Sequence, residues 1–211
     1  MKELIRRVIE IARSHRDINS HGHIASSLSA LPVIVDIYKQ FDHKNDVFIL
    51  SKGHACVAWF AVLESHGFHP NVMKVHPDID PANGIPSTTG SLGHGLPTAV
   101  GIAYAKKFIH APGHVHVLLG DGECLEGTTW ESLNVARRYN LDNLTVHVDD
   151  NGWQGSCRCL DPSITKLMNQ VFPIKTYGRQ KGFGVKLFEA HPDWHVHFLT
   201  DPEFQSIMSE L

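Results

Sequence analysis

The chain has 211 residues, of which 42% are hydrophobic and 19% are charged, and its formal net charge at pH 7 is -3. This length can bury a sizeable core as one domain over residues 1–211, and the slightly acidic balance gives no reason to expect nucleic-acid binding. No apolar run reaches the length of a membrane span, and the first residues resemble an amphipathic helix rather than a signal peptide. We therefore expect a cytoplasmic enzyme component of a single domain.

The predicted elements alternate between helices and strands along the chain. In order they are helix 2–15, helix 27–40, strand 47–50, helix 53–66, an irregular segment 67–95, helix 96–108, strands 114–119 and 143–148 with a helix between them, a loop 151–160, helix 161–170, strand 172–177 and a last helix 201–210. The segment 67–95 is rich in Pro, Gly and Asn and is too long for a plain connector, which suggests a binding loop. The alternation predicts a three-layer α/β fold with a mostly parallel sheet and helices on both faces.

One strand–helix–strand unit contains a pair of polar residues with a defined spacing. Asp121 follows the first strand and Asn151 follows the second. A right-handed crossover makes the two strands parallel, so both side chains lie at the edge where open α/β sheets bind ligands. If the strands are neighbours, about 4.8 Å apart, the two side-chain oxygens can converge. The pair suits Mg²⁺ or Ca²⁺, which prefer oxygen ligands and keep positions for phosphate oxygens.

Two other interpretations of these glycine-rich segments are open. A Gly-Asp-Gly tripeptide after a strand is often only a tight turn, and the paired Asn151 is what favours a metal–diphosphate site. The glycines Gly90, Gly93 and Gly95 also form a turn into a helix, as in dinucleotide-binding domains. Their order differs from G-x-G-x-x-G, no clear strand precedes them, and no Gly-Lys-Ser/Thr of a P-loop occurs.

Several motifs carry a resemblance to a known family. The segment "GDGECLEGTTWESLNVARRYNLDNLTVHVDDNGWQG" resembles the thiamine-diphosphate motif of transketolases, in which the Asp and the Asn bind the metal that holds the cofactor's diphosphate. The segments "HGHIASSLSALPVIVDIY", "SKGHACVAWFAVLESHG" and "GIPSTTGSLGHGLPTAVGIAYAKK" match the same family in the same order. The segment "KGFGVKLFEAHPDWH" is similar to the end of the N-terminal subunit of split transketolases. The resemblance covers nearly the whole chain and implies a thiamine-diphosphate-binding domain.

The resemblance implies roles for four histidines. His23 and His76 match residues that line the donor channel, while His54 and His195 match residues near the diphosphate and the reacting carbon. Histidine suits proton transfer on hydroxyls and carbonyls because its pKa lies near working pH. Any one of them taken alone could equally be a surface or capping residue.

The remaining implied contacts are with the cofactor, the metal and a neighbouring subunit. Gly90 and Leu92 match positions whose backbone meets the cofactor, and Gly122 can offer its N–H to a phosphate because glycine permits a close approach. Trp153 matches the position that lends a main-chain carbonyl to the metal. Glu126 matches an acid at the contact between subunits, although an acid satisfying the helix dipole would look the same.

The region after Asn151 departs from the family pattern. Only about 30 residues, 151–181, are present where the family normally fits an additional strand and helix. We expect the fold to be shortened in its C-terminal part, with an exposed apolar surface around Met168, Val171 and Phe172 that a partner would cover. The same shortening weakens the assignment of His195.

The sequence leaves more than one function open. It favours the diphosphate-binding subunit of a two-component transketolase-like enzyme that moves a two-carbon ketol unit between sugar phosphates or related substrates. A non-catalytic interaction protein of the same fold, or a component of a 2-oxo acid decarboxylating enzyme, are the alternatives. The resemblance implies that a separate pyrimidine-binding subunit supplies the glutamate that activates the cofactor. We therefore expect a chain that is inactive alone and works in an assembly with two copies of each subunit.

Overall fold

The structure is a computed structural model, and it describes residues 1–14, 22–158 and 163–211. Parts of the predicted loop 151–160 and of the predicted helix 161–170 lie outside these described residues. The helices and strands are α1 (Lys2–Ser14), α2 (Ile24–Tyr38), β1 (Val47–Leu50), α3 (Cys56–Ser65), α4 (Gly95–Phe108), β2 (Val115–Gly120), α5 (Gly127–Arg138), β3 (Leu144–Asp149), β4 (Trp153–Gln154), β5 (Cys157–Arg158), α6 (Ile164–Val171), β6 (Ile174–Tyr177), α7 (Lys186–Ala190) and α8 (Asp201–Glu210). Short 3₁₀ turns occupy Gly53–Ala55, Pro81–Asn83 and Asp121–Leu125.

The larger sheet is parallel. Within the described ranges, four strands pair in the order β1-β2-β3-β6. Leu50 pairs with Leu118 and Gly120 pairs with Asp149, so the carboxyl ends of β1, β2 and β3 lie at one edge. The strands β2 and β3 are mostly apolar and almost completely buried, because helices cover both faces of the sheet. Polar residues that follow these strands must therefore gather at that edge.

The sheet separates two hydrophobic cores. On one face α1, α2 and α3 pack with α7 and α8 around side chains such as Trp59, Phe60 and Phe188. On the other face α4, α5 and α6 cover side chains such as Leu119 and Val146. This arrangement confirms the predicted three-layer α/β fold. None of the helices in the described part of the chain combines the length and hydropathy that a membrane crossing requires.

The predicted exposed apolar surface around Met168, Val171 and Phe172 is wrong. Met168 is fully buried, Val171 is partly buried and Phe172 is 8% exposed, all within the second core. The helix α6 packs against α5 and against the 3₁₀ turn at Asp121–Leu125. Burying a side chain of this size contributes about 1.5–3 kcal/mol, which favours α6 folding back onto the chain's own sheet.

Two short elements differ from the sequence-based expectation. The predicted loop 151–160 contains the antiparallel hairpin of β4 and β5, which brings residues 153–155 over the sheet edge. The helix α7 was not predicted because five residues make little more than one turn and leave no periodic pattern.

The helix α2 begins at Ile24 rather than at residue 27, which places His23 directly before its first turn.

Candidate functional site

A cavity of about 510 Å³ lies at the carboxyl ends of β1, β2 and β3. Every residue predicted for the site lines this cavity except Glu126. The residues so placed are His23, His54, His76, Gly90, Leu92, Asp121, Gly122, Asn151, Trp153 and His195. The position of His195 is independent of the shortening after Asn151, because the segment that follows α7 returns to the cavity.

Asp121 and Asn151 converge as their spacing predicts. The backbone N–H of Trp153 donates to Asp121 Oδ2 at 2.9 Å and to Asn151 Oδ1 at 3.1 Å. The N–H of Gly122 donates to the other oxygen of Asp121 at 2.9 Å. The hairpin turn after β3 thus brings the main chain of Trp153 next to both side-chain oxygens.

The chemistry of this cluster suits a hard cation. Burial raises the pKa of Asp121 to about 6, with the charge of Lys52 opposing the rise and the charge of Asp149 contributing to it. Within residues 1–14, 22–158 and 163–211, no group of three or more His, Cys, Asp or Glu side chains is placed to hold a metal by itself. A cation here would need Asp121, the amide oxygen of Asn151, a backbone carbonyl and oxygens of a ligand, a set that Mg²⁺ and Ca²⁺ accept.

Three histidine rings that line the cavity form a cluster. The ring centroid of His23 lies 5.2 Å from that of His54 and 4.7 Å from that of His195, and the latter two are 5.9 Å apart. Burial lowers the pKa of His54 well below its ordinary value and lowers the pKa of His195 and of the nearby His76. His54, His76 and His195 are therefore neutral near pH 7, and each can donate one proton and accept another.

His76 reaches the cavity from the irregular segment 67–95. Its ring lies against Gly90, where an added Cβ would come within 2.9 Å of the imidazole. Gly90 also has a φ of +145°, a backbone conformation that other residues rarely adopt. The segment 67–95, which is predicted to be a binding loop, contributes to the cavity wall, since His76 and Gly90 both line it.

Glu126 lies beside the cavity rather than in its wall. It is the last residue before α5, and its Cβ and Cγ pack under Gly93 of the glycine-rich loop. The neighbouring Leu125 is 58% exposed. Glu126 therefore lies outside the wall that the other predicted site residues form.

Lys52 is a cavity residue that sequence reasoning did not find. It is 1% exposed, and its Nζ lies 2.5 Å from Asp149 Oδ2. Ser29 Oγ donates to the same Asp149 oxygen at 2.7 Å and accepts from Asn151 Nδ2 at 3.3 Å. This network orients the amide of Asn151 so that its oxygen faces Trp153. The sequence did contain a signal for Lys52, because it comes shortly after the predicted strand 47–50, as Asp121 comes after the predicted strand 114–119.

Glu123 was also missed, although it stands in the quoted Gly-Asp-Gly segment. It is fully buried, and its carboxylate accepts hydrogen bonds from Ser51, Gly93 and Gly120. Burial raises its pKa, while these three donors and the charge of Lys52 oppose the rise. In sequence, Glu123 looks like one of the acidic residues that are common at the start of a helical turn, where a negative charge interacts favourably with the helix dipole.

Lys181 supports the hairpin that covers the cavity. It is 1% exposed, its Nζ donates to the Gly155 carbonyl at 2.8 Å, and the same Nζ lies 5.7 Å from the centre of the Trp153 ring. Burial, reinforced by the charge of Lys52, lowers the pKa of Lys181 to about 8. Two lysines therefore lie at the edge of a cavity that was predicted to receive a diphosphate.

Comparisons with known proteins identify the family of the chain. The family described as "Transketolase, thiamine diphosphate binding domain" matches residues 8–159. The chain is 35% identical to a subunit of the apulose-4-phosphate transketolase of Phocaeicola vulgatus, over 82% of this chain and 65% of that protein. It is 27% identical to the corresponding protein of Actinobacillus succinogenes, over 90% of this chain and 87% of that protein.

A solved structure shows the same fold. The transketolase from Leishmania mexicana superimposes with a TM-score of 0.78 at 18% identity, over 99% of this chain and 41% of that chain. The chain therefore spans less than half of that transketolase. With the family match covering most of its length, this chain belongs to the transketolase family and carries its thiamine-diphosphate-binding domain.

Proposed function

We propose that this chain, a single cytoplasmic domain over residues 1–211, is the diphosphate-binding subunit of a two-component transketolase. With its partner it would transfer a two-carbon ketol unit between sugar phosphates or related substrates. The observation that carries the proposal is the convergence of Asp121 and Asn151 on one point of a cavity that three clustered histidines also line. An interaction protein that had lost the cofactor would have no need to keep this arrangement.

The cavity fits magnesium or calcium with thiamine diphosphate. The metal ligands would be Asp121, the amide oxygen of Asn151 and the carbonyl of Trp153, together with phosphate oxygens. Gly122 lines the cavity, and no atom lies within 4 Å of the place where its Cβ would be, so a phosphate can approach its backbone. Lys52 and Lys181 add positive charge on the same side.

The cofactor supplies a carbanion at its thiazolium ring, and the protein's task is binding, orientation and proton handling. We propose that His54 and His195, which line the cavity, contact the diphosphate side and the reacting atoms, as the family resemblance implies. His23 and His76 are placed to exchange protons with substrate hydroxyls and carbonyls, since both line the cavity. Gly90 and Leu92 would present their backbone to the cofactor.

The surface around the cavity supports a partner chain. Leu92, in the glycine-rich loop, is 49% exposed, and Leu125, which precedes the residue packed under Gly93, is 58% exposed. Apolar side chains beside a functional cavity are typical of surfaces that another chain covers. We propose that the partner is a pyrimidine-binding transketolase subunit, that it contacts Glu126, and that the assembly contains two copies of each chain.

The proposal is tested by assaying ketol transfer from sugar phosphates with magnesium and thiamine diphosphate, for the purified chain alone and with a pyrimidine-domain protein. Size-exclusion chromatography is run in parallel. Activity that appears only with the second protein, in a complex larger than either chain, is the expected result. Robust turnover by a monomer of this chain would refute the two-component part. A complex that binds cofactor but catalyses no ketol transfer would refute the reaction.

A further inference from the structure

We propose that Glu123 is a positioning residue that holds the N–H of Gly93 and thereby fixes the direction in which the Leu92 carbonyl faces the cofactor cavity. For the identity of the ligand, this inference rests on the proposed function. For the role of Glu123 in the loop, it rests only on the contacts of the chain itself.

The carboxylate of Glu123 joins three segments that are far apart in sequence. Its Oε1 accepts from Ser51 Oγ at 2.5 Å and from the N–H of Gly93 at 3.0 Å, and its Oε2 accepts from the N–H of Gly120 at 2.9 Å. These donors belong to the end of β1, the glycine-rich loop and the end of β2. An ionised carboxylate only accepts hydrogen bonds, so three converging donors match it.

The bond to Gly93 determines the orientation of a whole peptide group. The N–H of Gly93 and the C=O of Leu92 belong to one planar trans peptide, so they point in opposite directions. Because the N–H points to the buried Glu123, the Leu92 carbonyl points away from it. Leu92 and Glu123 both line the cavity, so the direction of this peptide group bears on the wall that a ligand would meet.

The other side of Gly93 is held as well. Gly93 has a φ of +76°, and an added Cβ would lie 2.5 Å from Thr128 Oγ1 and 2.8 Å from Glu126 Cβ. Thr128 Oγ1 also donates to the Gly93 carbonyl at 3.2 Å. The loop is thus fixed by one hydrogen bond on each side of Gly93, and Glu123 provides the one that controls Leu92.

A simpler role for Glu123 would be helix capping. Its bond to Gly120, three residues earlier, resembles the bond that Glu203 accepts from the N–H of Thr200 at the start of α8, at 2.8 Å. Capping accounts for that one contact but not for the contacts with Ser51 and Gly93. Glu203→Gln is therefore a control that disturbs a capping bond, together with the contacts of Glu203 with Thr200 Oγ1 and His197, without touching the glycine-rich loop.

The test compares hydrogen–deuterium exchange in wild type, Glu123→Gln and Glu203→Gln, each assembled with the proposed partner, with and without magnesium thiamine diphosphate. Glutamine keeps the size of the side chain but replaces one carboxylate oxygen, which accepts hydrogen bonds, by an NH₂ group. This NH₂ group cannot accept a hydrogen bond from the backbone N–H that it faces. Without cofactor, we expect at least tenfold faster exchange in segment 88–96 of Glu123→Gln, and faster exchange only near residues 197–205 of Glu203→Gln. With cofactor, segment 88–96 should be protected in wild type but not in Glu123→Gln, while segment 150–155 is protected in both.

The inference would be overturned if segment 88–96 exchanged at the wild-type rate in cofactor-free Glu123→Gln. It would also be overturned if the cofactor protected this segment as strongly in Glu123→Gln as in wild type. If Glu123→Gln does not fold, Glu123→Asp takes its place, because the shorter side chain withdraws the carboxylate from Gly93 with the charge retained. Absence of any cofactor-induced protection in wild type would count against the proposed function, while the cofactor-free exchange would still decide whether Glu123 holds the loop.

Discussion

Asp121 and Asn151 meet at a single backbone donor, the N–H of Trp153, at 2.9 and 3.1 Å. The two residues are separated by a helix and a strand in sequence, yet the parallel pairing of β2 and β3 brings them to the same edge. A side chain at either position alone would be a turn residue. Together they form a pair of oxygen donors whose spacing is set by the sheet.

We expect Lys52→Met to destabilise the chain by about 3–5 kcal/mol, because it leaves the charge of Asp149 buried without its partner. Urea unfolding of the cofactor-free protein measures this loss. The matched control is Lys107→Met, which removes the exposed pair between Lys107 and Asp142 and should cost less than about 1 kcal/mol. Equal losses in the two variants would show that the buried pair has no special structural role.

Acid should destabilise the fold through His147. Burial lowers its pKa to about 3, and the charges of His116, Lys175 and His114 add to the effect. In the unfolded chain the pKa of His147 is 6.5, so below that pH the unfolded chain binds a proton that the folded chain does not bind. The contribution of neutral His147 to the free energy of unfolding is therefore complete above pH 6.5 and is lost as pH falls towards 3. Between pH 7.5 and 5 the loss should be about 2 kcal/mol.

The test compares urea unfolding at the two pH values in wild type and in His147→Gln, which can still hydrogen-bond with Tyr177 and His116 but does not titrate. The loss on acidification should be about 2 kcal/mol smaller in His147→Gln than in wild type. The exposed His69→Gln should behave as wild type. The same pH dependence in wild type and His147→Gln would contradict the assignment.

The cavity histidines should separate into two kinetic classes in the enzyme assembled with its partner. His23→Ala and His76→Ala should lower kcat by about 10²-fold or more with little change in cofactor affinity, because these rings are assigned to the substrate. His54→Ala should lower both, because this ring is assigned to the diphosphate side. Steady-state kinetics with cofactor titration measures the two effects. Equal losses of cofactor affinity alone in all three variants would refute the assignment.

Much of this site could be predicted because it follows from local order along the chain. A strand, a helix and a strand joined in sequence become parallel neighbours, so Asp121 and Asn151 could be placed before the fold was known. The histidines and glycines were found through the resemblance of ordered motifs, and the cavity brings them together. Glu126 is the exception, since it lies behind Gly93 rather than in the wall.

The residues that were missed depend on pairing across long distances. The partner of Lys52 is Asp149, 97 residues later in the chain, and Glu123 binds Ser51 across 72 residues. The end of β1 could have placed Lys52 at the sheet edge, but no local pattern identifies the distant partner of Lys52 or of Glu123. The error at Met168 and Phe172 has the same origin, since the covering contact between α6 and α5 cannot be seen from their own segment.

The central claim is that Asp121 and Asn151 hold a divalent metal and the diphosphate of the cofactor. The most direct measurement is calorimetry of thiamine diphosphate binding, with and without magnesium, to the chain assembled with its partner. We predict magnesium-dependent binding in wild type and in the control Asp150→Ala, whose residue lies at the same edge but not in the cavity wall, and loss of that binding in Asp121→Ala and Asn151→Ala. Binding of the same affinity in Asp121→Ala, or binding that does not depend on magnesium, would contradict the account.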